Sequence, residues 1–209
     1  MVEKSEIRRD YIECLAKEVV SPILRGSGFN KSGLRWTRER GRFLDVLEIQ
    51  KSKGQSEEHQ RFTINLGVFV PEFFEAIWQR PPKSSELEVG SAVRSRIGSL
   101  LEEENQDATN DKWWEIENSD DYEVSKIEIS DIVNNAALHF FDQINNMNDI
   151  NDFIEGLEGW ERDYEPNQMF LALSKREIGD IDGFYSILES ISGIWKENAD
   201  RLKDENKLR

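Results

Sequence analysis

One stretch, "QRFTINLGVFV" (residues 60–70), constrains the fold more than any other. Phe62, Ile64, Leu66, Val68 and Val70 take every second position, and Arg61, Thr63 and Asn65 fall between them. Side chains of a β-strand alternate between two faces, so this pattern makes a strand with one apolar and one polar side. Such a strand needs sheet partners and a cover for its apolar side. Pro71 ends it and suits the first turn of a helix, which "PEFFEAIWQR" continues.

Partner strands flank it in sequence. "GLRWTRER" alternates, Gly41 turns the chain into "RFLDVLEIQKS", and the polar "KGQSEEH" forms a hairpin loop. "AVRSRIGSLL" and "KWWEIEN" supply two more strands around the acidic loop "EEENQDATND". Ahead of the sheet, "SEIRRDYIECLAKEVVSPILRGSGF" reads as a helix. Ile7, Tyr11, Leu15 and Val19 recur every four residues, and Ile12 and Val20 widen the stripe. Pro22 either kinks this helix or starts a final short turn, and Gly26 and Gly28 end it. From about Ser125 the period becomes helical again, through Ile129, Ile132, Val133, Ala137, Phe141 and Ile144. "NNMNDINDF" interrupts, and helices are expected at about 149–157, 166–178 and 182–205. Strands followed by helices predict an α+β fold: an antiparallel sheet of about five strands covered by helices on one face, with a helical C-terminal extension. The expected boundary separates an α+β domain (1–157) from a helical extension (158–209) packed on it.

Charge narrows the partners. The chain carries a net −15, and its 21 aromatic residues set it apart from disordered chains of high charge. Residues 1–100 hold 17 Lys/Arg against 14 Asp/Glu, whereas residues 101–209 hold 10 against 28. An acidic half repels nucleic-acid phosphates and membrane headgroups and draws in a basic surface. The expected partner is a protein with a basic face, with no membrane and no direct nucleic-acid binding; the oligomeric state stays open. Acidity kept for solubility is the plainer reading of the same numbers. The single cysteine, Cys14, permits no intramolecular disulfide. "MVEKSEIRRDY" lacks the apolar region of a signal peptide, and no window approaches a membrane span. A cytoplasmic location is expected.

Most catalytic chemistries lack their residues. Two histidines, His59 and His139, and one thiol cannot build an imidazole–thiolate metal site. Neither histidine lies in a nucleophile motif. "GSGFNKSG" joins a helix to a strand, the reverse of the order a phosphate loop needs. "DINDFIEG" and "DIDG" lack the glycine and glutamate spacing of a calcium loop. No cofactor, metal or catalytic residue is assigned. An alternative keeps enzymatic activity open: the element order also fits restriction-endonuclease-like folds, making a Mg²⁺-dependent nuclease or nucleotide hydrolase with Asp45 and Glu48 as carboxylates. Gln50 stands there where such a motif has lysine, and Lys51 points to the opposite face.

The polar sheet face is the better candidate. Parity groups Arg61, Thr63 and Asn65 on one strand, Arg94 and Arg96 on another, and Glu48 and Gln50 on a third. Guanidinium groups hold carboxylates in a fork and stack on indoles. Gln50, Arg61, Asn65, Arg94, Arg96 and Trp113 thus form a candidate patch for an acidic peptide or small anion, unless these arginines pair with the protein's own acids. In "KWWEIE", Trp114 shares parity with Ile116 and belongs to the apolar face. Trp113 then falls on the arginine-bearing face or beneath the tail helices.

Gly28-Phe29, Gln50-Lys51-Ser52, Phe62 through Gly67, Arg96-Ile97-Gly98 and Trp113-Trp114 occur in an order and spacing that resemble the bacterial domain-of-unknown-function 4304 family, over about residues 5–157. The resemblance implies a bacterial origin and a compact α+β domain, and supplies no catalytic residues. Families of this style often lie beside toxin or phage-defence genes. With the acidic balance, this gives the leading expectation: a non-catalytic protein-binding protein, of immunity or phage-defence type. A seam of Phe184, Leu188, Ile191 and Trp195 leaves self-association through the tail as a further option.

Overall fold

The chain begins with a helix that changes pitch. In a computed structural model, which describes residues 10–54, 56, 58–101 and 112–207, α1 (Tyr11–Leu15) is capped by Asp10, whose carboxylate accepts the Glu13 N–H at 3.0 Å. A π turn (Ala16–Val20) follows, and α2 (Ser21–Gly26) completes the element with Pro22 in its first turn. The Ser21 N–H and hydroxyl both reach the Ala16 carbonyl, the hydroxyl at 2.5 Å. The wide turn precedes a proline with no N–H to give, so the irregularity expected at Pro22 takes the form of a π turn just ahead of it. Gly28, at φ +88°, then turns the chain into the sheet.

Six strands form the antiparallel sheet: β1 (Asn30–Ser32), β2 (Arg35–Arg40), β3 (Phe43–Lys51), β4 (Gln60–Phe69), β5 (Val93–Arg96) and β6 (Trp114–Ile116). Their order is β1-β2-β3-β4-β5, with β6 also paired to β4. The strand beyond the expected five is β1, three exposed residues that alternation could not reveal. Phe62 through Phe69 of β4 are buried along their whole length, so Thr63 and Asn65, expected on a polar face, are covered as well.

The helices are α3 (Pro71–Trp78), α4 (Ser119–Ile132), α5 (Leu138–Gln143), α6 (Met147–Glu155), α7 (Gly159–Asp163), α8 (Glu165–Glu177), α9 (Ile181–Ser190) and α10 (Lys196–Lys207). α4 starts before the expected Ser125. The Asn118 side chain accepts from the N–H groups of Asp120 and Asp121, and those two acids lie in the positive first turn. Its polar opening turn carries no apolar period and so hid from the pattern. A second π turn (Val133–Ala137) joins α4 to α5. The single helix expected at 182–205 is two. Ser192 is extended and Gly193 is left-handed (φ +62°), so the α-helix stops after Ser190 and resumes at Lys196. The acidic loop expected at 102–111 lies outside the described residues.

Two compact units divide the residues. The first comprises 1–39, 45–66 and 95–140, and the second comprises 40–44, 67–94 and 141–209. In the first, α1, α2 and α4 accompany the sheet. The Ile12 N–H donates to Gln60 Oε1 (3.3 Å), and the buried Trp36 indole donates to Ser21 Oγ (3.2 Å). In the second, α3 carries buried Phe73, Phe74 and Ile77, and α8 to α10 contribute Phe170, Leu173, Phe184, Leu188 and Leu202. Cationic side chains close helix ends there. Arg201 donates to the carbonyls of Ala76 and Ile77, and Arg40 donates to those of Phe141 and Ile144.

Candidate functional site

β4 and β6 set the geometry of the polar patch. Arg61 lies opposite Glu115 and Phe62 opposite Trp114 in the antiparallel register. The alternation separates the two tryptophans as β geometry requires. Trp114 is buried, stacks on Phe62 (5.5 Å between rings, 18° apart) and donates its indole N–H to Glu128 (2.9 Å). Half-buried Trp113 sits on the other face, with the Arg61 guanidinium 4.8 Å and that of Arg96 5.7 Å from its ring. Two cations thus bracket one indole.

The rest of the patch is tied together internally. Arg61 Nε lies 3.3 Å from Glu115 Oε1, an ion-pair distance without hydrogen-bond alignment. Asn65 donates to Gln50 Oε1 at 2.7 Å, and Thr63 donates to the Lys112 carbonyl at 2.7 Å. Gln50, Arg61, Asn65, Arg96 and Trp113 belong to the first unit. Arg94 belongs to the second, where Nε and Nη2 both donate to the buried Glu88 carboxylate at 3.1 Å. Five of the six candidate residues therefore share one unit, and Arg94 serves a different surface. These contacts hold β6 onto β4 through charge and stacking. They leave the half-buried Trp113 ring as the group on which a partner could rest.

Asp45 and Glu48 point to opposite faces of β3. Asp45 is fully buried and accepts from Arg38 Nε at 2.8 Å; Glu48 accepts from Arg35 Nε at 2.8 Å. Each carboxylate of the nuclease alternative has its own arginine. Among the described residues no three His, Cys, Asp or Glu side chains converge, and no helix is long and apolar enough to cross a membrane.

A second surface of the first unit did not emerge from the residues alone. Val124 and Ile127 of α4 are 65% and 75% exposed. Ile127 edges an open groove of about 590 Å³, beside Lys126, Ser130 and Asp131 and facing Glu18, Val19, Pro22 and Ile23. Each wall carries a π turn: Val19 lies in one, and Asn134 and Asn135 in the other. Such turns gather at functional sites because they re-aim side chains. The sequence signal was Ile127 itself. It stands two residues before the buried Ile129, roughly 200° around the helix, and so off the core stripe.

No curated protein and no solved structure matches the chain. The profile of a domain of unknown function (DUF4304) matches residues 20–143, which take in α2, all six strands and α3 to α5. That match spans more than half of the chain, and the protein belongs to this family.

Proposed function

We propose that the protein is a non-catalytic binding protein whose acidic surface receives a basic protein partner, in the manner of an immunity or phage-defence factor. The observation that carries this reading is the exposed strip of Val124 and Ile127 on α4. Scattered exposed apolar residues are ordinary, but these two are neighbours on one helix and Ile127 lines a groove. Asp120 and Asp131 sit four residues before Val124 and after Ile127, and Glu123 borders them. Lys126 pairs with Glu123 at 3.3 Å, and the acids in excess of it beside this apolar anchor suit a partner segment with apolar residues on one face and lysine or arginine around them. The excess of acids over bases in residues 101–209 would steer such a partner in.

Affinity capture from the native host tests this, comparing the wild type with an Ile127→Asp variant at low and high salt. A basic protein should be recovered by the wild type, released as salt rises, and lost with the variant, whose melting temperature stays near that of the wild type. Ile127 is solvent-facing, so the substitution changes stability by less than about 0.5 kcal/mol. Equal recovery by both proteins would remove α4 from the binding surface.

A further inference from the structure

The second unit contains an aromatic pocket of about 240 Å³. Trp78, Phe170 and Trp195 form its aromatic wall, and Tyr164, Asn167 and Arg94 add polar groups to the lining. The rings are held at different angles. Trp78 stacks on Phe74 behind it (4.5 Å, 22°), tilts against Phe170 (5.9 Å, 48°) and meets Trp195 edge-on (6.0 Å, 88°). The Trp78 position is fixed by the end of α3, where Gln79 turns left-handed (φ 53°).

The charged side chain of this lining, Arg94, is a donor. Arg94 uses Nε and Nη2 on Glu88, and among the described residues its Nη1 has no hydrogen-bond partner. The indole N–H groups of Trp78 and Trp195 likewise have none among the described residues. Asn167 gives its amide hydrogen to the Glu161 carbonyl (2.8 Å), and the Ser91 hydroxyl is taken by the Leu87 carbonyl (2.7 Å). Flat aromatic walls favour a planar ring. Available donors, one of them a guanidinium, favour an anion. The volume is below the roughly 300–1,000 Å³ of sites for drug-sized ligands, which limits the occupant to one or two rings.

We propose that this pocket binds a small aromatic carboxylate, its ring against the indoles of Trp78 and Trp195 and its carboxylate on Arg94. An aromatic cage can also hold a quaternary ammonium. Here the charged side chain in the lining is an arginine already paired with Glu88, and its remaining N–H offers a cation no acceptor. The α4 strip belongs to the other unit, and the fate of the pocket leaves the protein-binding reading untouched.

The test is titration of the full chain, followed through the indole N–H signals in nitrogen–proton NMR spectra. Trp78→Phe and Trp195→Phe variants assign the two signals. Benzoate, indole-3-acetate, their amides, cyclohexanecarboxylate and benzyltrimethylammonium serve as probes. Both signals should shift saturably with the aromatic acids, and affinity should fall by about tenfold or more for the amides. Because Arg94→Met alone strands the buried Glu88, the double variant Arg94→Met/Glu88→Gln is measured with it, and its binding should fall by a similar factor. No shift with either acid, equal binding of acid and amide, or binding of the ammonium probe alone would overturn the proposal.

Discussion

Trp113 and Trp114 are neighbours in sequence and opposites in environment. Trp114 has its ring on Phe62 and its N–H on Glu128, so Trp114→Ala removes packing and one hydrogen bond, while Glu128 keeps its ion pair with Lys112. Destabilisation of about 3–5 kcal/mol is expected, read as a fall in the urea midpoint. Trp113→Ala removes only a half-buried ring bracketed by Arg61 and Arg96, and about 1–2 kcal/mol should go with it. Period-two reasoning made this distinction legible, because parity alone decides which indole enters the core. Hydrogen-bond partners were not legible. Arg94 and Arg96 share parity, yet one finds Glu88 and the other Trp113, since a long side chain chooses partners brought near by tertiary structure. Glu86 is a further residue whose behaviour only the fold reveals. The Arg80 fork donates to its two oxygens at 2.7 Å each, and the Lys83 N–H adds a third bond at 2.8 Å. The Arg80 hydrogen bonds foremost pull its carboxyl from 4.5 down to about 2. A depressed native pKa stabilises the fold above the unfolded value and loses that effect as pH falls toward the native one. Wild type should therefore exceed Glu86→Gln in urea midpoint at neutral pH, with the gap closing between about pH 4.5 and 2.

Elements with strong periodicity were read correctly in type, and their errors collect where polar residues govern. β2, β3, β4, β5 and β6 announce themselves by alternation, and α8 by its proline start. The opening turn of α4, the short α7 and the break between α9 and α10 depend on caps and a left-handed glycine, and hydrophobic pattern does not report those. The approach of β4 to the turn before β5 is another feature that sequence cannot show. A methyl group at Gly67 would lie 2.8 Å from Ser91 Cβ and press on Ser91 Oγ, with the Glu88 carbonyl at 3.5 Å. Gly67→Ala should cost about 1–3 kcal/mol by overpacking, and Ser91→Gly in that background should recover part of the loss. Thermal melting of the single and double variants measures both effects. If the double variant is no more stable than Gly67→Ala alone, the crowding lies elsewhere.

For the molecule as a whole, the α+β class and the helical C-terminal region were readable because strands and helices occupy separate stretches of sequence. The grouping of residues into compact units was not readable, since it depends on where strands pass from one neighbourhood to another. Boundaries between the units fall within β2, β3, β4, β5 and α5, and the chain changes unit five times. A ribosome delivers residues in order, and this partition sets what can be finished when. The first unit has all its parts once residue 140 has emerged. Residues 40–44 and 67–94 of the second unit, with the apolar side chains of α3, are by then already made. They must wait for α6 to α10, the last helices to leave the tunnel. During that interval Phe73, Phe74 and Ile77 lack the helices that complete their unit, and the nascent chain passes through a stage in which one half of its architecture is provisioned and the other still open.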